Sequence, residues 1–123
     1  MRTGGCLCGA VRYTVRGEPT HVGACHCGDC RKRSGSTYSA YGQWPRSAFE
    51  VTGEYATYDE DSFCPRCGSP LFLLGEDVVE LALGSLDDAP FDLRPEAELW
   101  IKRREPWLHE IDGAAQHHEN RPS

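Results

Sequence analysis

The chain has 123 residues, a formal net charge of -6 from 19 acidic and 13 basic side chains, and 39% hydrophobic residues. That length fits one domain with a modest core, and an acidic balance offers no field to draw nucleic acid or an anionic membrane surface. No run approaches the roughly 18 apolar residues of a membrane span, and Met1-Arg2-Thr3-Gly4-Gly5-Cys6 lacks a signal peptide's apolar segment. The expectation is therefore a cytoplasmic protein with neither a nucleic-acid nor a membrane partner.

In chain order, the alternation of Val11, Tyr13 and Val15 predicts a first strand after Gly9, closed by the Gly17-Glu18-Pro19 turn. Residues 28–33 follow the central cysteines and predict a single helical turn. Short runs rich in β-branched or aromatic residues predict strands at 37–41, 49–52, 55–58, 71–74, 78–83 and 98–102, each bounded by Gly, Pro or Asp. No window sustains a longer helical period, so the fold class is mostly β, a small antiparallel domain. Residues 112–123 hold no apolar side chain except alanine and read as a mobile or surface-draped C-terminal tail, leaving 1–111 as the folded domain.

Seven cysteines cannot all pair, and a reducing compartment opposes disulfides in any case, so the thiols read as metal ligands. Cys64-Pro65-Arg66-Cys67-Gly68 is a C-x-x-C knuckle whose glycine allows the positive φ such a turn needs. Cys6-Leu7-Cys8, read as extended, puts two sulfurs on one side and Leu7 on the other. Together the two pairs make a closed four-sulfur zinc site of the structural kind. A metal cross-link would add stability that so small a core needs.

The remaining cysteines form a compact claw, Cys25-His26-Cys27-Gly28-Asp29-Cys30. Three protein ligands and an exchangeable fourth position is the catalytic zinc pattern. His26 should point away from Cys25 and Cys27, whereas His21 has the slack to close the site, in which case the claw would be structural too. An iron-sulfur cluster ordinarily takes four cysteines, and this set has three.

Three segments together resemble the glutathione-dependent formaldehyde-activating family, also called centromere protein V-like. They are Gly4-Gly5-Cys6-Leu7-Cys8-Gly9-Ala10-Val11-Arg12-Tyr13, the claw extended through Arg31-Lys32-Arg33-Ser34-Gly35-Ser36, and Phe63-Cys64-Pro65-Arg66-Cys67-Gly68-Ser69. The stretch 83–88, Leu99-Trp100-Ile101 and Pro106-Trp107 are also similar to that family. The resemblance implies a tent-like, zinc-ribbon-related fold with two zinc ions. Cys6, Cys8, Cys64 and Cys67 would hold a structural ion, and Cys25, Cys27 and Cys30 would be the catalytic residues holding a reactive and labile one. It implies a carbon-sulfur lyase of the S-(hydroxymethyl)glutathione synthase kind, acting on glutathione and formaldehyde in detoxification.

A three-thiolate zinc has room for a substrate thiol, which coordination would keep ionised for attack on an aldehyde carbon. Arg31, Lys32 and Arg33 are candidates to offset the added charge or to pair with a tripeptide's carboxylates. The sequence nominates no proton donor. Trp44, Trp100 and Trp107 read as core or pocket wall, His109, His117 and His118 as surface, and Asp87 and Asp88 as turn caps. The competing readings are a non-catalytic zinc-stabilised binding module for protein or nucleic acid, and a related enzyme with a different thiol or carbonyl substrate.

Overall fold

A computed structural model describes residues 1–122. In chain order the elements are β1 (Arg2–Gly5), β2 (Arg12–Val15), β3 (His21–Cys25), α1 (Gly28–Ser34), β4 (Ser39–Pro45), β5 (Phe49–Thr52), β6 (Ala56–Tyr58), β7 (Asp61–Phe63), β8 (Pro70–Leu74), β9 (Val78–Ala82), β10 (Ala97–Leu99) and β11 (Ala115–Gln116). They fall into two compact units, one of residues 1–21 with 42–92 and one of residues 22–41 with 93–122. No helix among the described residues is long and apolar enough to cross a membrane.

The first unit is antiparallel. β2 lies between β1 and β5, with Tyr13 opposite Gly4 and Val51, while β6, β7, β8 and β9 form a meander. The alternation read at Val11, Tyr13 and Val15 is the buried face: all three are at most 2% exposed. Tyr13, Phe49, Phe72 and Tyr55 pack ring on ring at centroid distances of 5.0 to 5.7 Å, each such pair adding about 1 kcal/mol beyond its burial. Trp44 is fully buried, and its indole N–H donates to the Gly17 carbonyl at 3.0 Å, which makes it core.

At Gly4 a side chain is excluded: a Cβ there would lie 2.4 Å from the Tyr13 hydroxyl. That close approach lets the buried hydroxyl reach Ser85 at 2.5 Å. Asp87 caps no turn. Its carboxylate accepts from Arg12 and, at 2.7 Å, from the Thr3 hydroxyl, which ties the loop after β9 to β1 and β2.

The second unit departs from the antiparallel expectation. β10 runs parallel to both β3 and β11, with Leu99 opposite Cys25 and Ala97 opposite Ala115. Strand 98–102 of the sequence reading stops at Leu99 because Trp100 turns into the left-handed region at φ 57° and opens a short 3-10 turn. Its N–H donates to the Glu119 carbonyl and its indole to Asn120, and these bonds hold a conformation that costs of order 1–3 kcal/mol. Within the segment expected to be a mobile or surface-draped tail, residues 115–116 form β11. Ala115 and His117 donate their N–H groups to Glu96 and Glu98 carbonyls, so backbone pairing rather than apolar burial docks it.

Candidate functional site: two thiol groups and a basic cleft

Cys6 and Cys8 sit on a turn rather than on a strand. The Gly9 N–H donates to the Cys6 carbonyl at 3.2 Å, the Val11 N–H to the Cys6 sulfur at 3.2 Å, and Leu7 at the tip is 89% exposed. The second knuckle is built alike. The Gly68 N–H donates to the Cys64 carbonyl at 2.7 Å, with Gly68 at φ 81°, and the Arg66 N–H reaches the Cys64 sulfur at 3.4 Å. Turning both pairs inward brings Cys6, Cys8, Cys64 and Cys67 into one group, with sulfurs 3.6 Å apart for Cys6 and Cys8 and 3.8 Å for Cys8 and Cys64.

Those separations test the donor set. A tetrahedron with metal–sulfur bonds of about 2.3 Å has edges of about 3.8 Å, so both separations match such edges, and all four sulfurs lie within 4.8 Å of one another, close enough to share one ion. The thiols are also chemically divided. Ser69, through its hydroxyl and its N–H, holds Cys67 down to about 5. Cys8 is pulled down by the Ala10 N–H, but burial and the three other sulfurs outweigh it and push the thiol up to about 11. Ionising all four together takes a cation at their centre.

The second group is Cys25, Cys27 and Cys30, whose sulfurs lie within 4.8 Å of one another. Cys25 ends the wholly buried strand β3, and Cys27, at φ -64° and ψ 162°, is the N-cap of α1. Its sulfur accepts from the Cys30 N–H at 3.3 Å, the bond a capping serine would make, and this sets Cys27 and Cys30 on one side of the first turn. The Cys30 thiol is pushed far up by the adjoining Cys25 sulfur, by burial and by Cys27, as expected for thiols crowded without a counter-charge.

Among the described residues neither histidine joins this group. The His26 ring pairs instead with Glu98, with Nε2 2.9 Å from Oε1. His21 is buried and outside the three-sulfur set.

Beside the claw lies an open cleft of about 940 Å³ lined by Gly28, Arg31, Lys32, Arg103, Glu105 and Trp107, among others. Gly28 directly follows Cys27 and Arg31 follows Cys30, so two of the three cysteines are one peptide bond from its wall. Of the three basic residues singled out by sequence, Arg31 and Lys32 line it and Arg33 does not. Arg31 pairs with Glu105 at 2.8 Å and donates to the Arg103 carbonyl at 3.2 Å. Arg103 and Glu105 were not singled out, since nothing local marks residues 103–105 as neighbours of the helix. Trp107 is pocket wall, 65% exposed.

No curated protein matches the chain. Among solved structures it is similar to the crystal structure of a Rhodobacter sphaeroides protein, 19% identical, with a TM-score of 0.56 over 71% of this chain and 89% of that one, a likeness of fold. The family model described as glutathione-dependent formaldehyde-activating enzyme matches residues 1–103, which include all seven cysteines, and the chain belongs to that family.

Proposed function

We propose that the chain catalyses formation of S-(hydroxymethyl)glutathione from glutathione and formaldehyde, as a zinc-dependent carbon-sulfur lyase, with the three-sulfur group as its reactive centre. The observation that carries the reading is that three sulfurs gather beside a basic cleft without a fourth protein ligand among the described residues, whereas the other group has four. A zinc ion in the three-sulfur group would supply a position for a fourth sulfur and keep that thiol ionised near neutral pH.

The chain's own residues bind and orient. Lys32 and Arg103 present cations to the carboxylates of a tripeptide, Arg31 and Glu105 line the wall as a pair at 2.8 Å, and Trp107 offers an apolar face. A cleft of about 940 Å³ is at the large end of small-ligand sites. In the reaction one S–C bond forms between thiolate and aldehyde carbon, and the carbonyl electron pair moves to oxygen. The proton the thiol gave up is balanced by one gained at that oxygen. Holding the sulfur in place beside the carbonyl contributes by orientation.

The test is condensation measured above the uncatalysed rate, together with X-ray absorption at the metal edge. Added glutathione should raise the sulfur count at one ion from three to four, and Cys27→Ser should abolish both the rate and the added sulfur while the fold persists. A rate equal to background with no new sulfur refutes the enzyme and leaves a binding module.

A further inference from the structure

From His26, the residue between Cys25 and Cys27, runs a polar chain that the proposed chemistry does not use. His26 and Glu98 are each 2% exposed. Burial alone would raise the Glu98 carboxyl, but the Ile111 N–H, Gln116 and His26 outweigh it and hold it below the ordinary carboxylate range. An ionised carboxylate only accepts, so the His26 Nε2–H is the donor of that bond, and Nδ1 is buried without a hydrogen-bond partner among the described residues. The imidazole is thus anchored at one nitrogen only. If Glu98 rotated, nothing else polar would hold the ring.

Glu98 is fixed from the far side. Its Oε2 accepts from the Ile111 N–H at 2.7 Å and from Gln116 Nε2 at 2.9 Å, and Arg104 stands 3.6 Å away. Arg104 in turn donates to Gln116 Oε1 at 2.6 Å, which fixes which way round the amide sits. The His26 N–H donates to the Leu99 carbonyl at 3.0 Å, so both the backbone and the ring of the residue between Cys25 and Cys27 are tied down. Arg104, Ile111 and Gln116 all lie beyond the residues 1–103 that the family model matches.

We propose that Glu98 and Gln116 are positioning residues for the three-sulfur group: the segment from Arg104 to Gln116 locks the Glu98 carboxylate, Glu98 locks His26, and the locked His26 fixes the angle at which Cys25 and Cys27 present their sulfurs. This rests on reading those cysteines as metal ligands. Partners one step removed from ligands commonly govern metal affinity by 10- to 100-fold, and here the partner acts through the peptide that joins two ligands.

The experiment is cobalt(II) titration of the full chain against a competing chelator, with absorbance in the thiolate-to-cobalt region. Wild type should take two equivalents. Gln116→Leu removes one donor and frees Arg104, and should weaken the second equivalent about tenfold. Glu98→Gln sets an amide N–H against either His26 or the two donors on the other side, and should weaken it by up to about a hundredfold. Both variants should shift the spectrum of that equivalent while the four-sulfur equivalent and its spectrum stay as in wild type, a pattern that general loss of structure does not give. Wild-type affinity and spectrum for both equivalents in both variants overturn the proposal. A single equivalent in wild type overturns the metal reading of the claw, and the positioning role with it.

Discussion

The two thiol groups should differ sharply in what they contribute to folding, because they close loops of very different length. Cys8 and Cys64 are 56 residues apart, whereas Cys25 and Cys30 are five apart. Treating each metal clip as a cross-link, the loop-entropy relation gives about 4 kcal/mol for the long loop and about 2 kcal/mol for the short one. Scaling the average unfolding entropy per residue to this chain, those figures correspond to about 15 °C and about 8 °C in Tm. Cys64→Ser should therefore cost about twice what Cys30→Ser costs. Thermal unfolding followed by circular dichroism, with metal content measured on the same samples, checks this. In excess chelator the variants and the wild type should converge. Equal losses for the two variants, or a Cys64→Ser deficit that persists in chelator, would refute the cross-link argument and assign the effect to packing around the fully buried Cys64.

Gly4→Ala forces a Cβ against the Tyr13 ring and the Ser85 carbonyl, so it should destabilise by about 2–3 kcal/mol, read as a shift in the urea midpoint. Burial pushes the Tyr13 hydroxyl up to about 12 from 10. Its folded pKa exceeds the unfolded one, so its contribution of about 2–3 kcal/mol is complete below pH 10 and is lost as pH rises toward 12. Stability measured across that window should fall less in Tyr13→Phe than in wild type. Lys32→Ala and Arg103→Ala should each weaken glutathione binding about tenfold, an effect that shrinks as salt is added, by calorimetry. Glutathione should alter Trp107 fluorescence, and Trp107→Phe should abolish the change.

The two cysteine groups were legible because their information is local. C-x-C and C-x-x-C are turn-sized, and a split of four against three follows from counting sulfurs. Four strands were missed, β1, β3, β7 and β11, the first two for opposite reasons. β1, Arg-Thr-Gly-Gly, has no apolar residue to alternate, and β3 is buried at every position, so neither carries the period of two that marks a one-sided strand. The Cys6 to Cys8 turn was misread as extended because both geometries bring the sulfurs together. The cleft was half visible. Arg31 and Lys32 adjoin the claw in sequence, but Arg103, Glu105 and Trp107 come from some 70 residues further on, and only parallel pairing of β3 with β10 puts them beside α1. The docking of 111–117 was unreadable from composition, since polar side chains and backbone bonds hold it.

One atom of the claw has two duties, and they can be separated chemically. The Cys27 sulfur belongs to the three-sulfur group and also accepts the Cys30 N–H as the cap of α1, the helix that carries Arg31 and Lys32. Alanine at that position strikes out both duties at once, so the helix would fray and take the basic side chains out of register. Serine, an oxygen acceptor that ranks among the preferred caps but is a hard donor toward soft ions, removes the first and spares the second. Comparing the two replacements distinguishes a lost ligand from a lost helix end, which a single alanine scan would merge.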